Sequence, residues 1–186
     1  MAAHEGLARL NALDPDEAER KLLKCCGSAA WARALAAQRP FADVEELLLA
    51  ADQVWWRLGT RDWHEAFSSH PKIGARKAAQ AQDAQAALWS EQEQAGARAA
   101  EQATLTALAQ ANRVYEEKFG HIFIVCATGK TAAQMLNILR ARLPNDPGVE
   151  LRNAADEQRK ITRLRLEKLL SQESGEAGES GESKAT

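Results

Sequence analysis

Phe123-Ile124-Val125-Cys126-Ala127 is the only strand-like run in a chain of 186 residues. Its β-branched and aromatic side chains suit an extended backbone, yet the sequence offers no second run to pair with it. An extended segment without a ladder leaves main-chain donors and acceptors that something else must meet. The reading is therefore one buried extended segment set among helices, and the fold class is all-α, a single-domain helical bundle. Two roles fit the segment: a plug in the core, or a set of main-chain groups that bond a flat, polar, urea-like ligand without using side chains.

Outward from that run the chain reads as helices. Met1-Ala2-Ala3-His4-Glu5 leads into polar helix-like sequence rather than an apolar leader. Asp14-Pro15-Asp16-Glu17 starts a helix, with Asp14 as N-cap, Pro15 at the first helical position and Glu17 reaching back in a capping box. It runs to Cys25-Cys26 and stops at Gly27. Ser28 caps a second helix that ends before Pro40, and Asp43 opens a third that reaches Trp55-Trp56. A fourth starts near Thr60 or Arg61 and delivers His70. A long helical stretch then covers Leu88 to Phe119, with a break expected near Gly96 or Ala111-Asn112, and Gly120 closes it. Thr131 to Leu143 is amphipathic, Pro144 and Pro147 break it, and a last helix covers roughly Val149 to Leu170. Residues 1–171 form the helical domain; residues 172–186, with four glutamates against one lysine among Gly and Ser, form a tail expected to be disordered.

Composition narrows the function classes. A net charge of −2 with 45 % hydrophobic residues suits one soluble globular domain with a buried core. No run approaches the roughly 18 apolar residues of a membrane span, so no membrane is expected. Cys25, Cys26 and Cys126 are odd in number, which fits reduced thiols and a cytoplasmic setting rather than a disulfide framework. No basic excess and no aromatic–basic stripe is present, so nucleic-acid binding is not expected. Thr128-Gly129-Lys130-Thr131 resembles the end of a phosphate loop, but the earlier glycine it needs falls at Ile124. His64, His70, His121 and Cys126 match no usual ligand spacing, so no metal is expected.

Three stretches carry chemistry. In Ser68-Ser69-His70-Pro71-Lys72-Ile73-Gly74, the proline crowds the backbone of His70 and drives it out of the α region. An imidazole thus sits where a helix stops, able to exchange a proton at neutral pH, or it is a loop histidine with no task. In Ser90-Glu91-Gln92-Glu93-Gln94, Ser90, Glu93 and Gln94 share a helix face while Glu91 and Gln92 point elsewhere. Ser90 and Glu93 also spell a capping box, and a helix N-terminus seats an anion. Arg165 projects onto a stripe of Leu151, Ala154, Ile161 and Leu169, with Arg163 opposite. A guanidinium there needs an anionic partner, either a structural carboxylate such as Glu93 or a bound substrate anion.

Taken together these residues resemble one family, 2-oxo-4-hydroxy-4-carboxy-5-ureidoimidazoline (OHCU) decarboxylase. The matching pieces are His70-Pro71-Lys72-Ile73-Gly74; Ser90-x-x-Glu93-Gln94-x-Gly96; Asn112-x-x-Tyr115-x-x-x-Phe119-Gly120; Phe123 to Ala127; and Lys160-Ile161-x-x-Leu164-Arg165-Leu166. They occur in family order over most of residues 14 to 170. The resemblance implies an all-helical, cofactor-free carboxy-lyase, commonly a homodimer, that forms (S)-allantoin in the last step of urate oxidation. It implies catalytic roles for His70, Glu93 and Arg165. It implies substrate contacts from Pro71, from Ser90, Glu91, Gln92, Glu93 and Gln94, and from Phe123, Ile124, Val125, Cys126 and Ala127. The chain ends Ser-Lys-Ala-Thr rather than in the peroxisomal Ser-Lys-Leu, which fits a bacterial-type cytosolic enzyme. Two other classes remain open: a hydrolase or lyase on a related ureido compound, and a non-enzymatic helical interaction protein.

Overall fold

The computed structural model describes residues 2–70 and 91–172, with side chains for 3–70 and 101–171. The expected disordered tail from residue 173 onward lies outside the described residues. Among them are eight helices and no strand, and no helix is long and apolar enough to cross a membrane. The chain forms two compact units, one of Met1–Ser69 with Asp156–Thr186 and the other of His70–Ala155.

The first unit contains α1 (Ala2–Ala12), α2 (Pro15–Cys26), α3 (Ala29–Ala36), α4 (Val44–Arg57), α5 (Thr60–Ser68) and the second half of α8 (Pro147–Gln172). Its helix starts follow the capping chemistry. Asp14 Oδ1 accepts from the Glu17 N–H at 2.9 Å, with Pro15 in the first turn, where its missing N–H costs nothing. Ser28 Oγ accepts from Trp31 and Asp43 Oδ1 from Glu46, which caps α3 and α4. α2 ends at Gly27, whose φ of 87° is open to glycine and strained for other residues. The core between these helices is built on Trp31, Trp55, Phe67, Leu22, Leu35 and Leu47, all no more than 2 % exposed. Arg39 closes the corner before α4, donating to the carbonyls of Leu10, Leu13 and Ala36.

The second unit is organised on α6 (Glu91–Phe119) and α7 (Ala132–Arg142). α6 runs unbroken through Gly96 and Ala111-Asn112. Asn112 does not break the helix because its side chain works outward, accepting from the Phe123 N–H at 3.3 Å. Gly120, at φ 73°, turns the chain off α6, and residues 122–127 leave it outside any helix, with no strand partner among the described residues. Phe123 and Val125 join Leu108, Tyr115, Leu136 and Leu139 in one apolar cluster. Thr131 caps α7 in a two-way capping box with Gln134.

α8 departs from the sequence projection. Pro147 opens the helix just ahead of the start expected near Val149, as suits a residue with no N–H to satisfy. Its buried line is Ala154, Gln158, Thr162, Leu166 and Leu170, at 0, 0, 5, 0 and 1 % exposure; Ala154 is buried as expected, whereas Leu151, Ile161 and Leu169 are only half-buried. Two polar residues occupy that line, so a projection weighted by apolarity is rotated off it. Arg165 lies half-buried beside the line, and Arg163 is exposed.

α1 approaches the end of α8 so closely that a Cβ on Gly6 would lie 2.0 Å from the Leu170 carbonyl oxygen. Because the obstacle is backbone, Gly6→Ala must shift a helix. The expected cost is about 1–3 kcal/mol, the usual range for overpacking, read as a lowered midpoint in thermal unfolding of the purified chain.

Candidate active site

The C-terminal turn of α2 is where Arg165 meets the frame of the first unit. A helix end leaves its last carbonyls without partners inside the helix. Here the Cys25 carbonyl accepts from Arg165 Nη1 at 3.3 Å, and the Cys26 carbonyl accepts from Gln158 Nε2 at 3.2 Å. Gly27 sits against Ser69 at the end of α5, where a Cβ would lie 2.2 Å from Ser69 Oγ. Ser69 in turn is tied down by its hydroxyl, which donates to the Ala66 carbonyl at 2.7 Å. The residue that carries His70 into the chain and the guanidinium of Arg165 therefore bear on one three-residue corner. His70 itself follows directly at a bend and is half-buried.

Cys26 lies in that corner without being reactive. Burial pushes its thiol up to about 12, with the Thr162 side chain and the Ser28 main chain bonding to it. It stays neutral at physiological pH and adds no negative charge beside Arg165.

The extended segment is moored by side chains in place of a ladder. Asn112 takes the Phe123 N–H, Arg142 Nη1 donates to the Ile124 carbonyl at 2.9 Å, and Lys130 Nζ donates to the Cys126 carbonyl at 2.8 Å. Phe123, Ile124 and Val125 are buried, while Cys126, expected to be buried, is half-buried and Ala127 is exposed. The buried half of the run, Phe123 to Val125, is part of the core, and its exposure rises toward Ala127.

Of the other expected site residues, Pro71 and Ser90 lie outside the described residues. Glu91, Gln92, Glu93 and Gln94 form the first turn of α6, and their side chains are likewise outside the description. The helix starts one residue after Ser90, where a cap or an anion seat would be. Among the described residues no group of three or more His, Cys, Asp or Glu is gathered for a metal ion.

One cluster had no counterpart in the sequence reading. Glu150, fully buried, pairs with Arg142 through Nε at 2.7 Å and accepts from the Tyr115 hydroxyl. The Asn145 and Asn153 amides donate to its other oxygen. Burial alone would raise this carboxyl; the hydrogen bonds from Arg142, Tyr115 and Asn145 outweigh it and hold it below 4.5. Tyr115 goes far above its ordinary value, through burial and its bond to Glu150. Tyr115 belonged to a quoted motif, but nothing in the spacing pointed to partners 27 and 35 positions on.

With the geometry described, similarity to known proteins can be set beside it. Residues 11–167 match the family model for OHCU decarboxylase. The chain is 43 % identical over 149 residues to the uric acid degradation bifunctional protein TTL of Arabidopsis thaliana, covering 79 % of this chain and 45 % of that one. It therefore spans less than half the length of the plant protein. It is 33 % identical to the 2-oxo-4-hydroxy-4-carboxy-5-ureidoimidazoline decarboxylase of Mus musculus, covering 77 % of this chain and 80 % of that one. A crystal structure of OHCU decarboxylase in the presence of (S)-allantoin is 39 % identical with a TM-score of 0.66, covering 81 % of this chain and 97 % of that one. A crystal structure of (S)-allantoin synthase, at 18 % identity and a TM-score of 0.65, shares the fold.

The Glu150 cluster makes a pH prediction. A carboxyl held below its unfolded value stabilises the fold above about pH 4.5 and loses that contribution as pH falls through its folded value. Glu150→Gln leaves Arg142 buried without its anion, which should cost about 3–5 kcal/mol near neutrality. The gap between variant and parent should narrow below pH 4.5. Urea midpoints measured from pH 3 to pH 7 check both the size and the direction.

Proposed function

Because the chain belongs to the OHCU decarboxylase family, we propose that it converts 2-oxo-4-hydroxy-4-carboxy-5-ureidoimidazoline to (S)-allantoin with stereospecific protonation, in urate degradation. The observation that carries the proposal is the 39 % identity, over 97 % of its length, to a decarboxylase crystallised in the presence of (S)-allantoin.

The chemistry asks little of a cofactor. The departing carboxylate sits on a carbon that also bears a hydroxyl and adjoins the imine-like C=N of the ring. Loss of CO₂ leaves an electron pair that this C=N holds as an enolate-like anion, so the substrate supplies its own electron sink. What remains for the protein is orientation, placement of charge and a proton delivered to one face. His70 delivers the proton. Glu93 bonds the ureido or hydroxyl groups and crowds the leaving carboxylate. Arg165 stabilises the oxyanion or holds Glu93. Pro71, Ser90 to Gln94 and the main chain from Phe123 to Ala127 fix the ring.

Two features support this division of labour. Arg165 and Ser69, the residue before His70, bear on the same α2 corner, so the cation and the end of α5 share one support within the first unit. The thiol in that corner stays neutral and leaves Arg165 its charge for an anionic substrate. The same reading carries a cytoplasmic enzyme that works as a homodimer, which sedimentation equilibrium checks at twice 20.3 kDa.

Spontaneous breakdown of the substrate gives racemic allantoin, so handedness distinguishes catalysis from background. Circular dichroism of product made from freshly oxidised urate should report the (S) form only with the chain present. His70→Ala should lower turnover by at least ~10²-fold, the low end for general acid–base catalysis, with an unchanged unfolding midpoint. Racemic product from the unaltered chain, or near-full turnover in the variant, would refute the proposal.

A further inference from the structure

Arg142 is assigned no role by the reaction, yet among the described residues it is a closely held cation of the second unit. Its side chain is 11 % exposed and that of Glu150 is 0 % exposed. On one side Nε donates to Glu150 Oε1, and Nη2 reaches both the same oxygen and, at 3.4 Å, the Tyr115 hydroxyl. On the other side Nη1 donates to the Ile124 carbonyl at 2.9 Å. The guanidinium carbon also stands 4.9 Å from the Phe123 ring centroid.

A guanidinium is a planar fork with fixed N–H directions. Once Glu150 and Tyr115 fix two edges of the fork, the direction of the third is determined. Glu150 is itself held by Asn145 and Asn153, so the chain of fixation runs from α8 through Arg142 to the Ile124 carbonyl. A buried ion pair adds little net stability over apolar side chains of equal volume. Its geometric effect is the larger one, because the segment it grips has no ladder to keep it straight.

We propose that Arg142, backed by Glu150 and Tyr115, is a positioning residue for substrate: it holds the Phe123–Ala127 main chain in the extended form whose N–H and C=O groups receive the ring. This rests on the reading above that the segment contacts substrate. The expected signature is loss of binding with proton transfer preserved, since His70 lies outside the cluster.

The test is Arg142→Lys. A lysine is a point charge that can meet Glu150 or the Ile124 carbonyl but cannot span both in the fork's geometry. KM should rise about tenfold, the equivalent of one well-aligned hydrogen bond, while kcat and its pH profile stay close to those of the parent. Amide hydrogen exchange across residues 123–127 should rise by a similar factor, with residues 104–115 of α6 unchanged. Unchanged KM, or unchanged exchange across 123–127, overturns the proposal. So does a fall in kcat alone at constant KM. Should Arg142→Lys fail to fold, Tyr115→Phe keeps the charge pair and removes only the hydroxyl; a KM and an exchange rate equal to the parent's would again overturn it. A parent chain that forms no (S)-allantoin refutes the reading of the site, whereas the exchange comparison still decides whether Arg142 holds the segment.

Discussion

The last carbonyls of α2 have no partners within their helix, and the way they are met organises the first unit. Carbonyls at a helix end must find donors from elsewhere or stay hydrated. Water is excluded here, since Cys25 and Cys26 are buried, and Arg165 and Gln158 from α8 supply the donors. Gly27 makes the turn with a positive φ that lets the chain leave α2 at once, and its missing Cβ gives Ser69 room to approach. Two elements distant in sequence, α5 and α8, are thereby tied to three consecutive residues. The corner is rigid because each tie satisfies a polar group that burial would otherwise penalise.

The second unit solves the same problem with a different geometry. Its unmet groups belong to an extended run rather than a helix end, and its donors and acceptors come from Asn112, Lys130 and Arg142. Side-chain mooring fixes chosen main-chain groups one at a time, where a sheet ladder would take them in a regular row. An all-helical fold has few places where main-chain N–H and C=O groups face outward from regular structure. Helix ends and one straight segment are those places, and the candidate chemistry lies on them. The side chains there are held by geometry that the helices impose and do not themselves need.

The sequence was most readable where one residue settles a local question. Asp14, Ser28, Asp43 and Thr131 each cap the helix they were expected to start, and Gly27 and Gly120 end the helices before them. The lone extended segment was legible because no other run could pair with it. It was least readable where polar residues are buried. Gln158 and Thr162 sit on the inner line of α8, and an apolarity projection turned that helix toward Ile161 and Leu169. Glu150 and Arg142 look like surface charges in sequence, and only the fold brings them to Tyr115. These misses share a cause: a polar side chain is buried for a partner, and partners are chosen by tertiary structure.

That cause also bears on how this chemistry is held in place. A decarboxylation whose substrate stabilises its own carbanion gains most from orientation, where displacements of about an ångström change rates by about 10²-fold. Orientation of that accuracy needs supports that do not relax, and an apolar core alone is a weak director because many packings of similar volume cost little. Hydrogen-bonded buried polar groups direct better, because any displacement leaves a donor or acceptor unmet. The Gln158–Cys26, Arg165–Cys25 and Arg142–Ile124 bonds all run from a side chain to a main-chain carbonyl, so each fixes backbone rather than another side chain. Polar residues that cost stability in the abstract are thereby used where the path of the backbone matters most.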